Sequence, residues 1–271
     1  MDYLSRDSAP LSNELWEQID KTVVDTAGKV LHGRRFIPLF GPLGIGVNTI
    51  TVDDTDKLAE VSKHGLMMTS GRRFLEIPTL YEDFVLSARD LESAVHAGYP
   101  IDLTRVVTAA ENCALKEDKL IFFGDTDFGI DGLFSVSGTS KIKKTDWTVG
   151  ENAFTNIAAA INLLVEKGIY GAYSLAVSPD LYLQMQRLQP GTGLLEIDRV
   201  KKLLEKRIYS TPVLGKNKAV LVCSDSRNID LVIGQDIKTA YLEQTELNHK
   251  FRILETMLLR IKRAQSIVVF E

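Results

Sequence analysis

Histidine and cysteine are scarce in this sequence. His32, His64, His96 and His249 are the four histidines. They are too widely separated for a His-Glu-x-x-His or short His-x-His pairing, so a catalytic metal built on them is not expected. Of the two cysteines, Cys113 falls in a helical pattern and Cys223 ends an apolar run. Both read as small buried hydrophobes of a reduced compartment rather than as a metal or redox pair. No apolar stretch approaches the roughly 20 residues that span a bilayer. The start, Met1-Asp2-Tyr3-Leu4-Ser5-Arg6, lacks the apolar region of a signal peptide, and a cytoplasmic location is expected. Basic excess is missing too: 32 Lys and Arg stand against 36 Asp and Glu, for a formal net charge of −4. Neither nucleic acid nor a membrane surface is therefore expected as a partner.

The usual catalytic patterns are also lacking. There is no Gly-x-Ser-x-Gly elbow for a serine nucleophile. Gly41-Pro42-Leu43-Gly44-Ile45-Gly46 has no following Lys-Ser/Thr and opens no helix, so it is read as a backbone bend rather than a phosphate loop. Asp125-Thr126-Asp127-Phe128-Gly129-Ile130 begins like a calcium loop, but Ile130 and Val136 stand where glycine and a bidentate glutamate are needed. A solvated turn is expected there. The carboxylate pairs Glu117-Asp118 and Asp53-Asp54 are expected on solvated faces. Arg34-Arg35 and Arg72-Arg73 are expected to meet acidic neighbours across a subunit contact, where isolated pairs contribute little.

What is present is an ordinary globular composition, 45% hydrophobic and 25% charged over 271 residues. The spacing of Leu15, Ile19, Val23, Ala27 and Leu31 predicts an amphipathic helix capped by Ser12. A second helix is predicted from Asp102 to Leu120, with a small-residue apolar side, and a third from about Asn152 to Lys167. A short strand-like run covers Phe36–Phe40. Residues 47–73 are weakly patterned, and such a stretch is either a disordered insertion or an extended β-arm partnered by a neighbouring subunit. Phe74–Leu86 reads as one strand containing a proline. Further strands are predicted at Tyr173–Val177, Ala219–Val222, Ile229–Ile233, Phe251–Ile261 and Ile267–Phe270. Helices are predicted after Ser178-Pro179 and over Glu196–Lys206. The sum is α+β with mixed sheets rather than regular βαβ alternation.

Several segments carry a resemblance. Leu4-Ser5-Arg6-Asp7-Ser8-Ala9-Pro10-Leu11, Trp16-Glu17-Gln18-Ile19-Asp20, Gly33-Arg34-Arg35-Phe36 and Gly41-Pro42-Leu43-Gly44 resemble the N-terminal signature of encapsulins, the linocin-like nanocompartment shell proteins. Tyr81-Glu82-Asp83-Phe84, Glu117-Asp118, Gly171-Ala172-Tyr173, Asp230–Asp236 and Asn248-His249 extend the likeness over essentially the whole chain. Leu194-Leu195-Glu196-Ile197 and the Asn248-His249 segment resemble the iron-storing members with ferritin-like cargo. Ala88 and Lys250 depart from that subgroup's tryptophan and proline.

The resemblance implies the Hong Kong 97 phage-type capsid fold, with an extended E-loop over residues 43–76. Residues 1–42, 77–137 and 225–271 would form the peripheral domain, and 138–224 the axial domain. It implies self-assembly into a cage and capture of a cargo protein by its C-terminal targeting peptide, at Leu31, Gly33, Arg34, Asp230, Leu231 and Ile237. Axial-loop residues Gln189, Pro190, Gly191, Thr192 and Gly193 would line ion-admitting pores. No cofactor is expected in the subunit: iron would belong to the cargo, and Val85 stands where other members place a flavin-stacking tryptophan. The alternatives are a phage major capsid protein, an encapsulin enclosing a dye-decolourising peroxidase, a secreted bacteriocin or protease, and a soluble hydrolase.

Overall fold

The computed structural model describes residues 3–53, 58–97, 100–189, 191 and 193–271. Helix α1 spans Asn13–Val30, and the Ser12 hydroxyl accepts the Leu15 N–H at 3.3 Å. Its buried face, Trp16, Ile19, Val23 and Ala27, follows the predicted spacing. A turn of 3-10 helix at Gly33–Arg35 redirects the chain into β1, Leu39–Phe40. Four short strands follow: β2 Thr49–Asp53, β3 Ala59–Lys63, β4 Leu66–Ser70 and β5 Arg72–Glu76. Next come β6 Thr79–Ser87, α2 Ala88–Ala97 and the long α3, Thr104–Phe123. The predicted Phe74–Leu86 strand is thus divided at Ile77-Pro78, because a proline has no N–H for a continuous ladder.

The remaining elements are β7 Gly124–Asp125, β8 Ile130–Asp131, β9 Ser140–Ile142, α4 Asn152–Glu166, β10 Tyr173–Val177, α5 Pro179–Gln184 and α6 Glu196–Leu203. They are followed by β11 Ile208–Ser210, β12 Ala219–Cys223, β13 Ile229–Thr245, β14 Asn248–Ile261 and β15 Ile267–Phe270. The expected solvated turn after Asp125 is a tight one: the Asp125 carboxylate accepts the N–H groups of Asp127 and Phe128. Gly124 sits at φ 68°, and a Cβ there would lie 2.1 Å from the Ile130 carbonyl oxygen, so only glycine lets the turn close onto α3.

Two sheets organise the chain. The first has the order β1-β13-β14-β6 and is dominated by the long antiparallel β13–β14 hairpin. Helices α1 and α3 pack on it, burying Trp16, Ile19, Val106, Ala110 and Cys113 against Phe84, Phe251 and Ile253. Trp16 meets Phe251 edge-on at 5.7 Å, and Phe84 stacks on Phe251 at 5.2 Å. The second sheet has the order β11-β10-β12-β15-β9.

Its central strands are continuous apolar runs because both faces are covered. Along β12, Val220 and Val222 enter the core shared with Ile121, Phe122 and Leu231, while Ala219, Leu221 and Cys223 enter the core beneath α4 and α6. The C-terminal strand β15 departs from the expected partition of the chain, lying between β12 and β9 in this sheet. Both cysteines are buried thiols, as expected. Among the described residues no helix is long and apolar enough to cross a membrane.

Candidate functional site

Three regions carry the features that matter for assembly and binding. The first is the arm. Strands β2 and β5 pair antiparallel from Thr49↔Glu76 to Asp53↔Arg72, and β3 and β4 from Ala59↔Ser70 to Lys63↔Leu66. The segment expected to be either a disordered insertion or a β-arm partnered by a neighbouring subunit thus finds strand partners within its own chain. It is a hairpin ribbon in which each strand has one partner among the described residues. Among the described residues no further strand pairs with the other edges, the usual template for strand addition, although on β2 the Thr51 carbonyl accepts from Arg260.

Arg72, expected to pair across a subunit contact, instead grips Asp53 within the ribbon at 2.8 and 3.0 Å. The guanidinium hydrogen bonds hold the Asp53 carboxyl below the usual carboxylate range. At the root, Ile50 and Leu75 pack on Ile77, Val232 and Leu258. Farther out, Leu66, Met67, Met68 and Phe74 are 72%, 66%, 74% and 70% exposed. A two-stranded ribbon of this kind is marginal without a further surface to lie on.

The second region lies where α1 ends. Leu31 is 8% exposed and packs with Ala27, Ala114, Val30 and Ile237. Gly33 is buried, its N–H donating to Asp118 at 2.9 Å, and a Cβ would meet the Ile121 Cδ1 at 2.4 Å. Arg34 is the hub. Its Nε donates to Glu117 at 2.9 and 3.0 Å, its Nη2 to Glu117 and Glu255 at 2.7 Å each, and its Nη1 to Asp236 at 2.8 Å.

Arg34 is thus spent within its own chain rather than across a subunit contact. Arg35 is likewise used internally, donating to the Gly28 and Lys29 carbonyls at the end of α1. Glu117 and Asp118, expected on a solvated face, are fully buried. Asp118 accepts the N–H groups of His32 and Gly33, with the His32 ring 3.2 Å away. A signal for this existed: Glu117 falls within the apolar stripe Ala110, Cys113, Ala114, Ile121 of α3, and a charge there calls for a buried counter-charge.

Two of the six anticipated binding residues lie elsewhere. Asp230 is seven residues before Ile237 on β13, held by Arg260 at 2.6 and 2.7 Å and by Lys262 at 2.6 Å. Leu231 is sealed in the core between β1 and Leu259. Neither presents a side chain to an arriving peptide. Burying a carboxylate satisfied by two cations, and an isobutyl group in a closed core, leaves nothing outward. The structure brings together Leu31, Gly33, Arg34 and Ile237. The sequence pattern does not single out Val24, which is 56% exposed one helical turn before Ala27.

The third region is the loop after α5. Pro190 and Thr192 lie outside the described residues. Gln189 is turned inward, 3% exposed, with its side-chain oxygen accepting from Arg199 and its N–H donating to the Leu194 carbonyl. It closes the loop rather than forming its rim. Gly191 and Gly193 are exposed, and so is Leu194.

Comparison with known proteins places these features. Over 95% of the chain, the fold superposes on the crystal structure of a virus-like particle from Pyrococcus furiosus, with a TM-score of 0.76 at 21% identity and complete coverage of that chain. Over 88% it superposes on the capsid of Myoviridae phage XM1, with a TM-score of 0.65 at 14% identity and 90% coverage. The fold, with its two sheets, long helix and projecting ribbon, is therefore the Hong Kong 97 type of capsid fold. The sequence adds the family. Residues 1–258 match Linocin_M18, the encapsulating protein for peroxidase.

The chain is 36% identical, over its whole length and 96% of the relative, to the type 1 encapsulin shell protein of Myxococcus xanthus. It is 35% identical over 96% of its length to a diheme-cytochrome-encapsulin shell fusion protein of Kuenenia stuttgartiensis, covering 74% of it. A ferritin-like-encapsulin shell fusion protein of Pyrococcus furiosus is 22% identical over 74% of the chain and 54% of the relative. The chain belongs to the encapsulin family and is a shell protein of a capsid-like cage. Its relatives are structural shell proteins.

Proposed function

We propose that this subunit tiles into a closed cage that encloses a ferritin-like, iron-storing cargo protein. The observation carrying the assembly reading is the arm: among the described residues its strands pair only with one another, and Leu66, Met67, Met68 and Phe74 are left exposed. In this reading the arm, residues 43–76, lies on adjacent copies, where strand addition and burial of those side chains complete it. Contacts of about 1,500 Å² or more, repeated around closed symmetry, then hold the shell. Residues 138–224 form the axial part around the symmetry axes, with Gly191 and Gly193 at the edge of a pore for ions.

The cargo's C-terminal peptide lies on the surface at the end of α1. Val24, Leu31 and Ile237 offer apolar seats there, and many weak peptides per cage give avidity. The ferritin-like fusion among the relatives supports cargo of that class. Flavin is not part of this reading, because Val85 presents no aromatic face. The cage is assigned to the cytoplasm.

Electron microscopy of the purified chain tests the assembly reading: hollow spheres of uniform diameter are expected, and a stable monomer would end it. For the cargo, co-expression with a ferritin-like protein carrying or lacking its last residues is decisive. Co-purification should require the tail. Val24→Asp and Ile237→Asp should yield intact, empty shells, and shells that still fill would remove this surface from consideration. A phage capsid reading would instead require nucleic acid inside the particles.

A further inference from the structure

The buried charges beneath Arg34 do not balance. Glu117 and Glu255 are 0% and 1% exposed and share one guanidinium nitrogen, Nη2, at 2.7 Å each. Glu117 takes the better share, with both oxygens on Arg34, whereas Glu255 touches it through Oε2 alone. Glu255 Oε1 is buried, and among the described residues no hydrogen-bond donor reaches it. An ionised carboxylate in that position would leave one oxygen stripped of water and another anion beside it, both costly. A protonated Glu255 removes the second charge and gains an O–H to share with Glu117, with which its carboxyl interacts directly.

We propose that Glu117 and Glu255 hold one proton between them at neutral pH, carried by Glu255, and that this proton locks α1, α3 and β14 together. The joint is well placed to act as a lock: Arg34 follows α1, Glu117 belongs to α3, and Glu255 lies on β14.

Among the described residues the surrounding groups do not supply the missing positive charge. On α3, Asp118 adds a second negative charge and is occupied by His32 and Gly33, while the Cys113 thiol is pushed up by burial. Lys116 points to Glu82 of β6, pairing with it and with the Tyr81 carbonyl. On β13, Asp236 is another anion on Arg34, its side chain 55% exposed, and Lys238 next to it is exposed. Burial first, then the neighbouring Glu117 charge, raises Glu255 well above the ordinary carboxyl range; burial also raises Glu117, against the pull of Arg34.

The direction of the pH effect follows. A carboxyl group raised in the folded chain contributes its full stability below the ordinary glutamate value, about 4.3. That contribution is lost as pH rises through the raised value. Alkali therefore loosens the joint, and acid in the neutral-to-mildly-acidic range does not.

Thermal unfolding of the full chain between about pH 5 and about pH 10 tests this, comparing the natural protein with Glu255→Gln. An amide at 255 keeps a donor toward Glu117 and an acceptor for Arg34 and has no proton to lose. The natural protein should lose unfolding temperature as pH rises from about 5 until Glu255 ionises in the folded chain, and over that range the variant's profile should be flatter by up to one proton of linkage. Parallel profiles would overturn the proposal. Infrared spectra of the natural protein labelled with 13C-glutamate give a second, variant-independent reading. A protonated carboxyl carbonyl band should be present at neutral pH and vanish in alkali, and its absence at neutral pH would equally refute the shared proton.

Discussion

Arg34 makes five N–H contacts to three carboxylates while remaining only 16% exposed. A lysine has the charge but not the planar fork, so Arg34→Lys should retain only part of this joint. Arg34→Met should cost about 3–5 kcal/mol, because it strands buried acids without a counter-charge. Chemical denaturation monitored by circular dichroism checks both, with Met the more harmful. Beside it, Gly33→Ala places a methyl group 2.4 Å from Ile121 Cδ1 at a point where the Gly33 N–H is also held by Asp118. About 1–3 kcal/mol of destabilisation is expected from this overpacking, and Gly33→Ala combined with Ile121→Val should recover part of it. Recovery by the double variant separates crowding from a lost hydrogen bond.

Among the elements, the ribbon of β2 to β5 is the one whose side chains have least to hold them. Met67→Asp or Met68→Asp falls on exposed positions, so the subunit's own unfolding temperature should move little while particle yield on size-exclusion chromatography collapses. Normal particles from either variant would mean the ribbon tip is not a contact. The same scale explains what could be read ahead of the structure. Helices α1 and α3 were legible because a 3.6-residue apolar repeat and a capping side chain act locally. Strand β13 was legible only over Ile229–Ile233, since bulges between Ile233 and Gln235, and between Gln235 and Lys238, break the alternation that betrays a strand while pairing to β14 continues.

Helix α2 follows β6 directly at Ala88, with no Gly or Pro to mark the change in the sequence. The candidate binding residues were harder still. Leu231 and Asp230 look like Leu31 and Arg34 in a sequence, and what separates core from surface is which strand covers them, a long-range fact that no local pattern carries.

For the whole molecule, the two kinds of apolar-to-acid change should part company. Leu231→Asp puts a charge into a closed core and should abolish soluble protein, whereas Val24→Asp, on an exposed helix position, should leave expression and particle formation intact. Comparing soluble yields of the two is sufficient. If Leu231→Asp accumulated as normal particles, the core assignment of β13 would be wrong.

The position of β15 bears on timing as well as on architecture. It is inserted between β9 and β12, whose paired residues were made 128 and 45–51 residues earlier, and it hydrogen-bonds to both. Until residue 270 has emerged from the ribosome, those two strands wait with an open slot between them. A chain not yet made as far as Phe270 therefore lacks the strand that joins β9 to β12, and recruitment into a growing lattice is deferred until β15 has been made.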